Sequence, residues 1–307
     1  MVEPASLRDE DYDVASKKSK EGGLWETIKV VVQALLIALV IRTALFQPFN
    51  IPSGSLIPTL LIGDYLFVSK YSYGYSHYSL PAWFDPTAEV TPGSRDLQLG
   101  FVDIPSVASL MEKLHVPPIA MPGRLFASQP KRGDIIVFKL PRDGETDYIK
   151  RLIGLPGDKI QVIKGRLYVN GAMTERRPLP AYAIPDEYGP PVDHFEETLP
   201  GGVKHEIIQI GGEAAARGKP DDGRLDVNNT AVYEVPPGHY FMMGDNRDNS
   251  LDSRVPPEQG GVGFVPFDNL IGRAEVIFFS VEDGEPAWEF WRWPWIVRWN
   301  RLFQPVR

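Results

Sequence analysis

The chain has 307 residues, 43% of them hydrophobic and 23% charged, with a net charge of −8 and no cysteine. That length supports one large domain or two smaller ones with a substantial core, and the negative balance argues against a broad nucleic-acid surface, which needs clustered basic side chains. Without cysteine there are no disulfides, thiolate metal sites or cysteine nucleophiles. The compartment stays open, because an oxidising space permits disulfides without requiring them.

Residues 1–23 are polar and read as a tail, acidic at first and then basic at Lys17, Lys18 and Lys20. The next segment, LWETIKVVVQALLIALVIRTALF over 24–46, is the membrane candidate. Its charge-free core from Val30 to Ile41 is only about 12 residues, against the ~20 a crossing needs. Extended from Leu24 to Phe46, with Lys29 and Arg42 snorkelling, it reaches that length. A buried soluble helix and a cleaved signal peptide are the alternatives. The all-round apolar character disfavours the first, and the lack of a clean small-x-small site disfavours the second. Lysines before the segment, and no basic residue between Arg42 and Lys70, put the N-terminus in the cytoplasm and the bulk of the chain outside.

Twenty-nine prolines and 28 glycines then punctuate short apolar runs, which favours β-structure over a helical bundle. DYLFVSKYSYG, GDIIVFKL, YIKRLIGLPG, KIQVIKGRLYVNG, YFMMGDN and RAEVIFFSV read as strands. Asn170-Gly171 carries the signal of a hairpin turn. Two stretches weak in periodicity, about 76–130 and 174–232, read as insertions. The last stretch, AWEFWRWPWIVRWNRLFQPVR, interleaves five tryptophans with Arg292, Arg298 and Arg301. Such a mixture suits a membrane interface; the alternative is a segment that closes the fold with its indoles packed inside.

The chain has no GxSxG, HExxH or Walker-type phosphate loop, and its five histidines are scattered. One SxxK pair, Ser128 and Lys131, has Pro130 inside the turn that would have to stack them. Ser53-Gly54-Ser55 is a better candidate. Pro52 keeps Ile51 extended, an extended chain sends both serines to one side, and Gly54 leaves the backbone open to another chain. One hydroxyl can attack a carbonyl while the other helps hold the oxyanion, although Ser-Gly-Ser is also ordinary loop material. A serine without a histidine partner needs another base, and Lys150, between apolar neighbours in DYIKRLIG, is the candidate. Lowering its pKa from ~10.4 to about 8 takes roughly 3 kcal/mol of burial; an exposed strand lysine is the competing reading. GHYFMMGDNRDNSLDSR, over 238–254, is dense enough in polar residues to buttress a site, or to be a solvated turn.

Taken together and in this order, IPSGSLIPTLLIGDYLFVSKYSYG, RGDIIVFKLP, DYIKRLIGLPGDKI, VPPGHYFMMGDNRDNSLDSR and FVPFDNLIGRAEVIFFS closely resemble the successive motifs of type I signal peptidases, the bacterial leader peptidases. The resemblance covers roughly 38–72, 131–170 and 232–281. It implies Ser55 as nucleophile and Lys150 as general base. Ser53 would join the Ser55 N–H in holding the oxyanion, Ser250 would bond the lysine amine, and Asp252 with Arg254 would support the site. Phe49, Ile51, Pro52, Leu60, Tyr148 and Ile149 fall where the family lines small apolar pockets for Ala-x-Ala. No cofactor or metal is implied. The expected partners are signal-peptide-bearing preproteins and membrane lipid, near the secretion translocon, with no nucleic acid. A single-pass protein of the bacterial inner membrane, active on the periplasmic side, is the expected setting.

The expected fold is mostly β: an N-terminal transmembrane helix, then an extracytoplasmic antiparallel catalytic domain with a second, β-rich domain inserted. Its parts are a tail (1–23), an anchor (24–46), catalytic sheet (47–173 and 233–284), the inserted domain (174–232) and a Trp/Arg-rich interface tail (285–307). Three features depart from the family pattern: Leu56 replaces the usual methionine, a near volume-conserving change; one anchor is visible where many relatives have two; and the disulfide of some relatives is impossible. The non-enzymatic rival is an anchored β-domain escorting exported chains, which has no need of Ser55, Lys150 and Ser250 in their motifs.

Overall fold

The computed structural model describes residues 10–79, 97–99, 102–104, 109–110, 113–114, 123–185, 189–210 and 225–307. The start of the polar tail and most of the insertion expected over 76–130 lie outside the described residues. Two compact units divide between Leu45 and Phe46.

The first unit carries helix α1 (Glu10–Val40) and a wider π-type turn, Ile41–Leu45. Between Val30 and Val40 apolar residues fall on every side of the helix, and they are exposed. The crossing expected over 24–46 is not one continuous helix, because regular hydrogen bonding stops at Val40 and Phe46 already begins a strand. Among the described residues no helix is long and apolar enough to cross a membrane.

The second unit is mostly β. Strands β1 (Phe46–Asn50) and β2 (Asp64–Ser69) precede a small pair, β3 (Leu97–Leu99) and β4 (Val102–Ile104). Next come β5 (Ile135–Lys139), β6 (Asp147–Gly154), β7 (Lys159–Ile163), β8 (Arg166–Val169) and β9 (Ala172–Met173). Then follow β10 (Glu175–Pro178), β11 (Asp193–Thr198), β12 (Lys204–Gln209), β13 (Tyr233–Glu234) and β14 (His239–Met243). The last are β15 (Val265–Pro266), β16 (Leu270–Ser280) and β17 (Gln304–Pro305). The main sheet runs β1-β2-β16-β5-β6-β14-β15, with β17 on β16. Beside it stand a four-stranded sheet, β13-β7-β8-β9, and a three-stranded one, β10-β11-β12. The strand pairs are antiparallel, as the tight Gly- and Asn-rich connections require. Asn170 and Gly171 both take positive φ, 55° and 80°, in the turn between β8 and β9, as the type I′ hairpin needs.

The β10–β12 sheet occupies part of the 174–232 insertion and lies within the same compact unit as the main sheet. The main sheet is covered on both faces. One cluster gathers Leu56, Leu66, Val68, Val137, Ile149 and Ile277, and another gathers Ile136, Phe138, Leu152, Tyr240, Met242 and Leu270. Strand β6 is therefore buried without alternation from Ile149 to Gly154, and a lysine in it has little access to water.

The C-terminal segment divides its residues. Trp293 packs on Phe279 with ring centroids 5.0 Å apart, and Ile296 and Val297 are buried with Val281. Arg298 donates to Ile62 O (2.8 Å), and Arg301 to Thr59 O (3.0 Å) and the buried Asp64 carboxylate. Trp288, Phe290, Trp291, Trp295, Trp299 and Phe303 stay exposed. Part of the segment closes the fold, while most of its aromatic surface points outward.

Candidate active site

Ser53 is extended, with φ −139° and ψ 148°, but the chain then tightens into a 3-10 turn over Gly54–Leu56. The extended geometry that would send both serines to one side ends at Ser53. Burial of Leu56 and Ile57 draws the turn inward, so Ser55 is 7% exposed while Ser53 stays in solvent.

Lys150 reaches this turn from β6. Its Nζ lies 2.6 Å from Ser55 Oγ and 3.0 Å from Ile149 O, 5.3 Å from the centre of the Tyr148 ring. The side chain is 3% exposed. Desolvation pulls its pKa down from 10.5 to about 8, against the opposing pull of the Asp252 and Asp245 carboxylates. About one lysine in ten is then neutral at pH 7, against one in ~2,500 for a free side chain. A neutral amine at 2.6 Å can accept the serine proton.

Two buried ion pairs frame the dyad. Arg254 grips Asp252 through Nε (2.9 Å) and Nη2 (2.8 Å), while Asp252 also accepts the Gly244 N–H at 3.0 Å. Burial opposes the Asp252 charge, but Arg254 and these hydrogen bonds override it and hold the carboxyl below its usual range. Arg151, next to the lysine, binds Asp245 through Nε (2.8 Å) and Nη2 (2.7 Å), and Thr59 Oγ1 donates to the same carboxylate at 2.6 Å. These pairs fix the 244–254 loop against β6 and against the chain that follows Ser55.

The bond expected between Ser250 and the lysine amine is not formed. Ser250 Oγ is buried without a hydrogen-bond partner, packed against Gly244, and the amine is already taken up by Ser55 and the Ile149 carbonyl.

The dyad opens into a cleft of about 920 Å³. Four of the expected pocket residues line it: Phe49, Pro52, Tyr148 and Ile149. Ile51 and Leu60 do not. Both are in the core beneath, at 2% and 0% exposure, because the loop after β1 turns these two side chains toward the sheet. The opposite wall comes from Leu225, Val227, Leu251 and Val255. Leu225 and Val227 carry no motif of their own and reach the cleft only through the tertiary fold, whereas Leu251 lies within the polar 238–254 stretch and Val255 directly follows it. The Arg151–Asp245 clamp was closer to view, since Arg151 follows the lysine and Asp245 opens the polar loop. Strand β14 pairs with β6 only from Arg151 to Gly154. Among the described residues no strand covers the other edge of Asp147–Lys150, which lies along the cleft. Among the described residues, too, no group of His, Asp or Glu is placed to hold a metal ion.

Comparison with known proteins gives a consistent family. A model described as "Signal peptidase, peptidase S26" matches residues 24–279. A signal peptidase I of Rickettsia typhi is 42% identical over 248 residues, 81% of this chain and 77% of its own. One from Rickettsia conorii is 40% identical over 279 residues, 88% of each chain. A solved signal peptidase I from Enterococcus faecalis V583 is 26% identical and covers 48% of this chain and 97% of its own, at a TM-score of 0.26. On the sequence match over most of its length, the chain belongs to the signal peptidase family, peptidase S26.

Proposed function

We propose that this chain is a membrane-bound serine endopeptidase that removes signal peptides after Ala-x-Ala, with Ser55 as nucleophile and Lys150 as general base. The observation that carries the reading is the 2.6 Å approach of a buried lysine amine to a serine hydroxyl. Neutral Lys150 takes the Oγ proton as Oγ attacks the scissile carbonyl, and the Ser53 hydroxyl and Ser55 N–H receive the oxyanion. The ammonium returns its proton to the leaving amine as the C–N bond breaks. Lys150 then takes a proton from water as its oxygen attacks the acyl ester, and the ammonium returns that proton to Ser55 Oγ as the ester C–O bond breaks. An extended substrate lies along the cleft, its backbone completing the open edge of Asp147–Lys150. Phe49, Pro52, Tyr148 and Ile149 then receive the small side chains that precede the scissile bond. An escort protein would have no use for a buried dyad, and nothing in the cleft favours that rival.

The membrane setting belongs to the same proposal. The all-round exposed apolar side chains of α1 call for an apolar solvent, and anchoring over 24–46 with the N-terminus inside places the cleft on the periplasmic side, close to emerging preproteins. The outward tryptophans of the C-terminal segment would rest among lipid headgroups.

Cleavage of a purified preprotein in liposomes, by wild type, Ser55→Ala and Lys150→Ala, is the test. Trimming after Ala-x-Ala by wild type alone is expected. Full activity in either variant overturns the dyad.

A further inference from the structure

Beyond the dyad, the structure ties the nucleophile to a sheet that carries none of the catalytic motifs. Residue Asn246 lies between the two. Its N–H donates to Ser55 O at 3.1 Å, and its side-chain Nδ2 donates to Gly54 O at 3.2 Å. On its other side it makes a parallel bridge with Ile208 of β12. Two backbone bonds bracket that bridge: Ile208 N donates to Asp245 O, and Arg247 N donates to Ile208 O, each at 3.0 Å.

The bracket is locked by charge. Arg247 reaches into the β10–β12 sheet and pairs with Glu197 on the central strand β11, where neither side chain is exposed to water. The same carboxylate accepts Arg176 Nε of β10 at 2.9 Å and Thr174 Oγ1 at 3.1 Å. Burial opposes the Glu197 charge, and Arg247 and Arg176 together hold it ionised. A buried carboxylate with two guanidinium partners leaves little freedom to the loop that carries Asn246.

The Gly54 carbonyl and the Ser55 N–H belong to one planar peptide and point in opposite directions. Gly54 O accepts both the Ile57 N–H of the 3-10 turn and Asn246 Nδ2, each at 3.2 Å, so Asn246 shares with that turn the hold on Gly54 O that aims the Ser55 N–H. We infer that Asn246 is a positioning residue that aims the Ser55 N–H at the oxyanion, and that the β10–β12 sheet, through Glu197 and Arg247, is the brace that holds Asn246 there. This rests on the reading of Ser55 as nucleophile. The sheet acts on the chemical step through the 245–247 loop.

The test uses the full-length chain in liposomes, an Ala-x-Ala peptide substrate, and a matching peptide aldehyde whose adduct with Ser55 mimics the oxyanion. Asn246→Ala is expected to lower kcat by ~10-fold, and Asn246→Asp, which turns an acceptor on the Gly54 carbonyl, by ~100-fold, a misaimed donor doing no more harm than a deleted one. KM should stay within about twofold, and aldehyde affinity should fall in parallel with kcat/KM. Arg247→Lys keeps the charge but loses the two-pronged grip, and its effect should vanish in the Asn246→Ala background. Glu197→Gln should behave alike; should it fail to fold, Arg247→Lys carries the comparison. Unchanged kcat in Asn246→Ala, a loss expressed in KM alone, or additive losses in the double variant would overturn the inference. Persistent cleavage by Ser55→Ala would instead overturn the reading on which it rests.

Discussion

A β-carbon on Gly244 would lie 2.5 Å from the Ser55 carbonyl oxygen and 2.3 Å from Ser250 Oγ. The end of β14 and the nucleophile turn are therefore in direct backbone contact, and the Gly244 N–H donates to Asp252 at 3.0 Å.

Gly244→Ala is accordingly expected to damage the site without abolishing the fold. The added methyl must push the Ser55 turn away from Lys150 or drive Ser250 outward, an overpacking that costs about 1–3 kcal/mol. A gap of a few tenths of an ångström in a 2.6 Å contact weakens proton transfer directly. Denaturation curves and peptide cleavage check the two parts. Wild-type activity in the variant would show that the contact is not needed.

The pH profile follows from Lys150. Only the neutral amine can take a proton, and desolvation sets its pKa at about 8. Below that value kcat/KM should fall close to tenfold per pH unit, and above it the profile should flatten. Asp252 and Asp245 favour the ammonium, so removing one of these negative charges should move the rising limb to lower pH. Asp252→Asn makes that change, at about 3–5 kcal/mol of stability for leaving Arg254 buried and unpaired. A wild-type limb near ~10.4, the value of a free lysine, would mean that the Lys150 amine is not desolvated in the folded protein, and a profile with no rising limb between pH ~6 and ~10 would exclude Lys150 as the base.

How far the site was legible depended on how local its signals were. Ser55 and Lys150 stood in short runs whose neighbours constrain them: Pro52 before the serine turn, and apolar residues around the lysine. The main strands showed as apolar runs between Gly, Pro and Asn. The 3-10 turn at Gly54 did not show, because it is imposed by burial of Leu56 and Ile57 rather than by local preference. Ile51 and Leu60 were placed in the pocket on their motif positions, and the inward turn of the loop sends both to the core. The wall formed by Leu225 and Val227 was invisible, since only the tertiary fold brings it across the cleft. Glu197 and Arg247 were hidden for the same reason: fifty residues apart, they meet only where one sheet docks on a loop from another.

Ser250 offers a contrast with its neighbours. A buried hydroxyl without a partner is destabilising by about 1–3 kcal/mol, and Ser250 Oγ is in that position. Ser250→Ala should therefore leave stability unchanged or raise it by up to about 1 kcal/mol, once the small loss of packing is counted. Thermal melts of the two proteins decide this. A drop of more than about 1 kcal/mol would mean that the hydroxyl is bonded in solution, with the Lys150 amine as the nearest claim from the family resemblance.

Lys150 itself should be a burden to the fold. Its pKa is about 8 folded and 10.5 as an ordinary lysine, so between those values the unfolded chain binds more protons than the folded one. Stability therefore rises with pH across that window, and below about 8 the full penalty is present. The difference corresponds to roughly 3 kcal/mol, held against the rest of the core for the sake of a neutral amine. Lys150→Met keeps a flexible side chain of similar length in the same slot and removes the charge. At pH ~7 the variant should be inactive yet about 2–3 kcal/mol more stable, and the gain should shrink toward zero as pH passes ~10. Urea unfolding at the two pH values measures both quantities. A variant that is less stable at both would mean that the lysine is solvated in the folded protein, and the case for a neutral general base would fall with it.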